Sequence, residues 1–533
     1  MLIKRRTHIT LVGALALLLA ACGGLTDHDA SLAEFEVARA AATAESGEYL
    51  LVHRGALNAR TRNAIAAAGG KIVREIPQIG VTAVRSSDPN FARAASRIRG
   101  VTHVGPDLML GLELPAARVA HEAITVEGIG DNDLYLALQW DIRRVGADAS
   151  TWAIQKGVGA TVAVLDTGVY SDHPDIAPNY AYGKDFTDIT VELPPGWIMW
   201  DQGGPQDYEG HGTHVAGSIA GAITAGRIIG VAPEASIANY KVMVAVLVPD
   251  DDGYYATGIG FQSWIVDGIV TAADDGVDVI NMSLGGWRAM NEPGGAAAYV
   301  SYLRATQYAR QRGTLVVASS GNAGLDLTRV RPEFHVPSGT PAALSINATG
   351  PDDSLAFYSN YGASETRVVG PGGDISAAPF SYCLSAYSPL NAWAPGAGWV
   401  FSIGTSMAAP KVAGVAALVY AQNPGIRPAQ VEPGCNRQPS PSITVASAPS
   451  SDTAWRTPTG RSRIGGGRDR VVNHLACRGG HCRPGRQVHP SGATSVIESS
   501  RRRLPASDRG LLSVRLRFGG ALALQRRQAT SVT

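Results

Sequence analysis

The chain has 533 residues, 45% of them hydrophobic, and a formal net charge of +1. That length allows two or three globular domains, and that hydrophobic content excludes a wholly disordered chain. The near-neutral total hides a division: residues 433–533 hold 17 arginines, no lysine and four acids, a net of +13, and the preceding 432 residues carry −12.

The first elements form an export signal. Lys4-Arg5-Arg6 precedes an apolar run from Ile9 to Ala21, the charged-then-apolar order of a secretory segment and too short to span a bilayer as a helix. It ends Leu19-Ala20-Ala21-Cys22-Gly23-Gly24, which resembles the lipobox of bacterial lipoproteins. Residues 1–21 are thus expected to be removed, Cys22 to be lipidated, and 22–47 to serve as a tether to a membrane surface.

Residues 48–112 form a small unit of their own. Tyr49–Val52, Ile72–Val73, Val81–Val84 and Val101–Val104 are predicted strands; Ala59–Ala68 and Pro89–Arg99 are predicted helices, the first stopped by Gly69-Gly70. The order β-α-β-β-α-β is ferredoxin-like. Phe91 and its neighbouring alanines are expected in its core, and residues 113–134 follow as a linker.

Three motifs carry the chemistry. Val162-Ala-Val-Leu-Asp166-Thr-Gly is a buried strand ending in an acid and a turn. Gly210-His211-Gly-Thr-His214-Val-Ala-Gly opens a small-residue helix. Gly404-Thr-Ser406-Met-Ala-Ala-Pro410 leads into an alanine-rich helix. A serine hydroxyl is a weak nucleophile that needs a base to take its proton, and the base needs a partner to fix its tautomer. Asp166, His211 and Ser406 supply those three roles. A zinc site is disfavoured because His211 and His214 are three apart, with Gly212 where zinc proteases carry glutamate. His214 is expected to be a packed helix residue. Gly404 and Ala408 flank Ser406, which departs from the Gly-x-Ser-x-Gly elbow of α/β-hydrolases. Val316–Ser319 is a strand running into Ser320-Gly321-Asn322, and the Asn322 amide can donate to an oxyanion. Val279–Ser283 is another strand, followed by Leu284 and Gly285, able to present backbone groups to an extended peptide.

In this order the motifs resemble the subtilisin-like serine proteases (subtilases) over roughly residues 135–432. The resemblance implies an α/β three-layer fold with a mostly parallel sheet, preceded by the small α+β unit as an inhibitory propeptide. It implies that Asp166 orients His211, that Ser406 attacks the carbonyl, and that Asn322 stabilises the oxyanion. Ser283, Leu284 and Gly285 would pair with substrate backbone, and Ser319, Ser320 and Gly321 would line the pocket for the side chain before the cut. Lys411 stands where many relatives have histidine, with a modest effect expected on the nucleophile. The chemistry requires no cofactor. A structural calcium is implied at Gln139 and Asp175, although Ile223 and Thr224 replace asparagines expected in the loop 221–230. The Asp250–Asp252 cluster is read as a solvated loop. The expected activity is that of a serine endopeptidase acting on polypeptides, exported and envelope-anchored or extracellular, inhibited by its own propeptide. The rival is an impaired surface lipoprotein that keeps the fold as a binding module.

After Glu432 the pattern breaks. Pro433-Gly434 is expected to end the helix that begins near Pro428. Residues 433–533 are rich in Arg, Pro, Ser and Gly without amphipathic periodicity, a composition unable to build a core. A basic tail for nucleic acid and a metal site at Cys477, His481 and Cys482 are the functional alternatives. The favoured reading is a disordered or out-of-frame segment, with no nucleic-acid partner.

Overall fold

A computed structural model describes residues 47–113, 138–223, 227–250, 253–330, 332–362, 368–376 and 380–436. The signal, Cys22, most of the 113–134 linker and the tail beyond Asn436 lie outside the described residues.

The first unit runs β1 (Glu48–His53), α1 (Ala59–Ala67), β2 (Lys71–Ile76), β3 (Val81–Arg85), α2 (Phe91–Ala95) and β4 (Val101–Pro106). Its antiparallel sheet has the order β2-β3-β1-β4, as the ferredoxin-like pattern requires. Asn58 caps α1 by accepting from the Thr61 N–H. Leu51, Ile65, Val84, Phe91 and Ala95 form the core between helices and sheet. Helix α2 is shorter than the 89–99 predicted, because the amides of Arg97 and Ile98 bond three residues back, to Ala94 and Ala95, and tighten the turn.

The next strand, β5 (Met109–Gly111), belongs to another sheet. Then come α3 (Trp140–Arg144), β6 (Thr161–Asp166), β7 (Tyr180–Asp185), β8 (Ile198–Met199), α4 (His211–Ala220), β9 (Ser236–Lys241), β10 (Val244–Asp250), β11 (Gly253–Phe261), α5 (Gln262–Asp274), β12 (Val279–Met282) and β13 (Gly286–Ala289). They are followed by α6 (Gly295–Arg312), β14 (Leu315–Ser319), β15 (Glu333–Val336), β16 (Ala343–Thr349), β17 (Val368–Pro371), β18 (Cys383–Ala386), β19 (Trp399–Ser402), α7 (Thr405–Gln422) and α8 (Pro428–Asn436).

The central sheet has seven parallel strands in the order β17-β16-β14-β12-β6-β9-β7. Both faces are covered, so inner runs such as Val162–Leu165 and Leu315–Ala318 are apolar on both faces rather than alternating. The period of two divides them between two cores. Val162, Val164, Leu315 and Val317 face α4 and α7; Ala163, Leu165, Val316 and Ala318 face α5 and α6. This is the expected three-layer α/β architecture. The sheet β5-β11-β10-β8 is antiparallel, so β5 joins the segment after the small unit to the body of the larger one.

Helix α8 runs through Pro433 to Asn436, against the expectation that Pro433-Gly434 would stop it. A proline here removes one ladder bond. Buried Val431 and an ion pair between Arg310 and Glu432 hold the helix to the body up to that point.

Candidate active site

Asp166 ends β6 at the carboxyl edge of the parallel sheet, where open α/β sheets place their ligands. Its Oδ1 accepts from the Thr167 amide at 2.8 Å and lies 2.8 Å from Nδ1 of His211, the first residue of α4. Asp166 is fully buried and His211 nearly so. Two further acids stand behind them. Glu209 accepts from the His211 amide at 2.7 Å. Asp207 accepts from the Thr167 hydroxyl and from the amides of Glu209, Gly210 and Thr213. Burial works against an imidazolium, but Asp166, Glu209 and Asp207 outweigh it and lift His211 to about 9. Burial pushes Glu209 up to about 7.

Ser406 occupies the first turn of α7. Its hydroxyl donates to the Ser283 carbonyl at 3.0 Å, and the Ser283 hydroxyl donates back to the Ser406 carbonyl at 2.7 Å. Asn322 follows β14, and its amide orientation is set by Thr405, whose N–H and hydroxyl both donate to Oδ1, at 2.9 and 2.8 Å. The Asn322 NH₂ is therefore turned outward. A Cβ at Gly404 would lie 3.7 Å from Asn322 Nδ2 and 3.6 Å from the Ser406 nitrogen, so both nitrogens border the same side of Gly404. An oxyanion would be stabilised there.

One of those nitrogens is engaged by the chain itself. Asn322 Nδ2 donates to the backbone carbonyl of Glu113 at 2.6 Å. The residues before Glu113 lie extended along β11, with Met109, Leu110 and Gly111 opposite Phe261, Gly260 and Ile259, and the Leu112 amide donates to the Gly258 carbonyl at 2.9 Å. Leu110 is buried with Ile259 and Leu284. Arg288 donates from Nη2 to the Met109 carbonyl at 2.8 Å.

The structure pairs Asp166 with His211, and Ser406 with Ser283. Leu284 is buried in the core under Leu110, and Gly285 abuts the His335 ring. Ser319 ends β14, the Ser320 carbonyl accepts from Asn360, and Gly321 faces the Glu113 carboxylate. His214 faces the Cys383 and Val400 carbonyls in the core, as a packed helix residue would. Lys411 turns away from Ser406 and forms a fully buried ion pair with Asp141 at 2.7 Å.

The side-chain oxygens of Gln139 and Asp175 are engaged by the protein itself. The Gln139 amide donates to Ile229 and Leu384 carbonyls and accepts from the Ile229 N–H. Asp175 accepts the Arg227 amide on one oxygen and the Trp399 indole on the other. Calcium needs six to eight oxygens, and among the described residues no group of three or more His, Cys, Asp or Glu is placed to hold a metal.

Sequence reasoning did not single out β11, Glu113, Arg288, His335, Asp207 or Glu209. A signal existed for the last two: Asp207 and Glu209 directly precede the histidine motif, in a loop too close to it for neutral solvent exposure.

The subtilase family model matches residues 157–438. Thermitase of Thermoactinomyces vulgaris is 35% identical over 294 residues, 55% of this chain and 85% of thermitase. Subtilisin Savinase of Lederbergia lenta is 35% identical over 288 residues, 54% of this chain and 86% of the relative. Among solved structures, the epidermin leader peptide processing serine protease of Staphylococcus aureus superposes with a TM-score of 0.57 at 20% identity, covering 74% of this chain and 95% of that one. Fervidolysin of Fervidobacterium pennivorans gives 0.51 at 24%, covering 73% and 56%; both establish the shared fold. With the motifs in order, the matched architecture and relatives spanned over most of their length, the chain belongs to the subtilase family of serine endopeptidases.

Proposed function

We propose that this endopeptidase works through an acyl-enzyme, with Asp166, His211 and Ser406 as its triad, and is made as a zymogen whose residues 48–112 cover the active site. The Ser406 hydroxyl leaves the Ser283 carbonyl and turns to His211 Nε2, which takes its proton as Oγ attacks the peptide carbonyl. Asp166 holds Nδ1–H and stabilises the imidazolium. Asn322 Nδ2 and the Ser406 N–H receive the oxyanion. The imidazolium then protonates the leaving nitrogen, and water hydrolyses the Ser406 ester by the reverse sequence. The observation that carries this reading is the Glu113 carbonyl held by Asn322 beside Ser406.

The same contact supports the zymogen: β5 blocks the cleft while the ferredoxin-like unit packs on α6, where Arg304 donates to the His53 and Ile79 carbonyls. Export and a lipid anchor at Cys22 complete the proposal. They rest on the sequence, and among the described residues no helix is long and apolar enough to cross a membrane. Labelling with a serine-directed phosphonate tests the catalytic reading. An adduct on Ser406 that disappears in Ser406→Ala, together with loss of peptide hydrolysis, is expected; a folded chain with no adduct is the binding module instead. Mass spectrometry of the exported N-terminus tests the anchor: a diacylated Cys22 is expected, and an unmodified thiol overturns it.

A further inference from the structure

We propose that this protease cuts after glutamate, that His335 is the residue selecting the acidic side chain, and that the Glu113–Leu114 bond is its own maturation site. The proposal rests on the protease reading above and deepens it.

The Glu113 carbonyl accepts from Asn322 Nδ2, the donor offered to an oxyanion, which puts Glu113 on the acyl side of a cut, and its side chain lies against Gly321 of the expected pocket. The pocket is polar. Glu113 Oε1 lies 3.1 Å from His335 Nε2, and Oε2 accepts from the Asn322 backbone amide at 3.2 Å. His335 is itself held. The Ser338 hydroxyl lies 2.6 Å from Nδ1, and Trp287, its register partner across β13 and β15, meets the ring edge-on at 5.5 Å between centres. Two glycines make the arrangement possible. A Cβ at Gly285 would fall 2.2 Å from the His335 ring, and one at Gly321 would fall 2.6 Å from Glu113 Oε2 and 2.9 Å from His335 Nε2. Arg288 adds positive charge nearby, fixed by its bonds to the Trp287 and Met109 carbonyls. Burial alone would raise the Glu113 carboxyl, but His335, the Asn322 amide and Arg288 prevail and hold it below the usual range, so it stays ionised.

The pocket therefore offers a directed donor, a backbone N–H and a nearby cation to a carboxylate. An uncharged side chain would leave His335 Nε2 facing the pocket without its carboxylate partner, which costs more than a merely loose fit. The Leu110 side chain, packed against Gly286 and in one core with Leu284, supplies an apolar anchor three residues before Glu113. The substrate class is a peptide with a large apolar residue, two variable positions and then glutamate. In the step itself Ser406 Oγ bonds to the Glu113 carbonyl carbon, the C–N bond to Leu114 breaks, and the serine proton passes through His211 to the Leu114 nitrogen. Water then releases Glu113 as a free carboxylate.

The test uses the full chain and internally quenched peptides carrying Leu-Gly-Leu before Glu, Gln, Phe or Lys at the cut. New termini at Glu113 and Leu114 are expected in the wild-type chain and absent in Ser406→Ala. The kcat/KM for Glu should exceed that for Gln by about 10- to 100-fold, the range of one charge-assisted hydrogen bond. His335→Gln should remove most of that ratio while phosphonate still labels Ser406. Ser338→Ala, a milder change, should lower the ratio without lowering labelling and serves if His335→Gln does not fold. Processing at another bond, equal rates for Glu and Gln, or an unchanged ratio in both variants overturns the proposal. Hydrolysis of none of the peptides, with no adduct on Ser406, overturns the protease reading as well, so the two failures are distinguishable.

Discussion

Replacing Lys411 with methionine keeps its length and packing but leaves the carboxylate of Asp141 alone in the core. Both residues are fully buried and their charges lie 2.7 Å apart, joining α7, which carries Ser406, to α3. The Cys383 thiol lies against both, and burial pushes its pKa up, so it stays protonated and replaces neither charge. Breaking a buried pair from one side costs about 3–5 kcal/mol, a large share of the roughly 5–15 kcal/mol that holds a domain together. Removing both charges should be close to neutral, because the desolvation of each ion disappears with it. The expected outcome in urea unfolding, followed by tryptophan fluorescence in a Ser406→Ala background to prevent self-digestion, is a loss of about 4 kcal/mol for Lys411→Met. The double variant Lys411→Met/Asp141→Leu should recover to within about 1 kcal/mol of the parent, a strongly non-additive cycle. A single variant costing less than about 1 kcal/mol, or a double variant as unstable as the sum of its parts, would refute the reasoning.

Three other outcomes follow from the site. Asn322→Ala should lower kcat by about 10²–10³-fold with little change in KM, the loss known for the corresponding asparagine of a subtilisin; an unchanged kcat would remove Asn322 from the oxyanion site. Glu209→Gln withdraws one of the three acids that lift His211 to about 9. The base must be neutral to act, so the acidic limb of the kcat/KM profile should move to lower pH, by about half a unit to one unit. The same sign governs stability: a histidine raised from 6.5 to about 9 stabilises fully below 6.5, and that share is lost as pH rises through 9. A flatter fall of stability between those limits is expected in Glu209→Gln, and an identical profile would rule out the coupling. Gly105→Ala places a methyl 2.2 Å from the Gly294 backbone, where β4 meets the start of α6. Overpacking of this kind costs about 1–3 kcal/mol, so the cover should loosen and peptidase activity should appear earlier after refolding than in the parent chain.

The proposed triad could be nominated from the sequence because each of its groups stands among small residues in a short string of its own. Asp166 ends a strand, His211 opens a helix, and Ser406 sits in a first turn; each is specified by its immediate neighbours. The three-layer fold was legible for the same local reason, since a run such as Leu315–Ala318, apolar at every position, must be covered on both faces. The limits were also physical. Helix α2 ended early through tightened bonds that propensity does not encode, and α8 continued past Pro433 because tertiary anchors at Val431 and Glu432 outweighed one lost bond.

The specificity pocket was the least legible part. Its motif, residues 319–321, says only that small residues line it. Its character comes instead from residues with no motif at all. His335 reaches the pocket only because β15 pairs with β13, and Gly285 leaves room for its ring. Arg288 lies on the partner strand, and Glu113 arrives only when β5 docks on β11. A histidine on a short strand and a glutamate at the start of a linker, 222 positions apart, carry no joint signal until the chain between them is folded. The chemistry then becomes specific: the motif glycines that leave the pocket small are the ones that make it acidic-selective, because a side chain at either would displace the imidazole or the carboxylate. A glycine that looks like a mark of permissiveness in the sequence is, in this fold, the condition for discrimination.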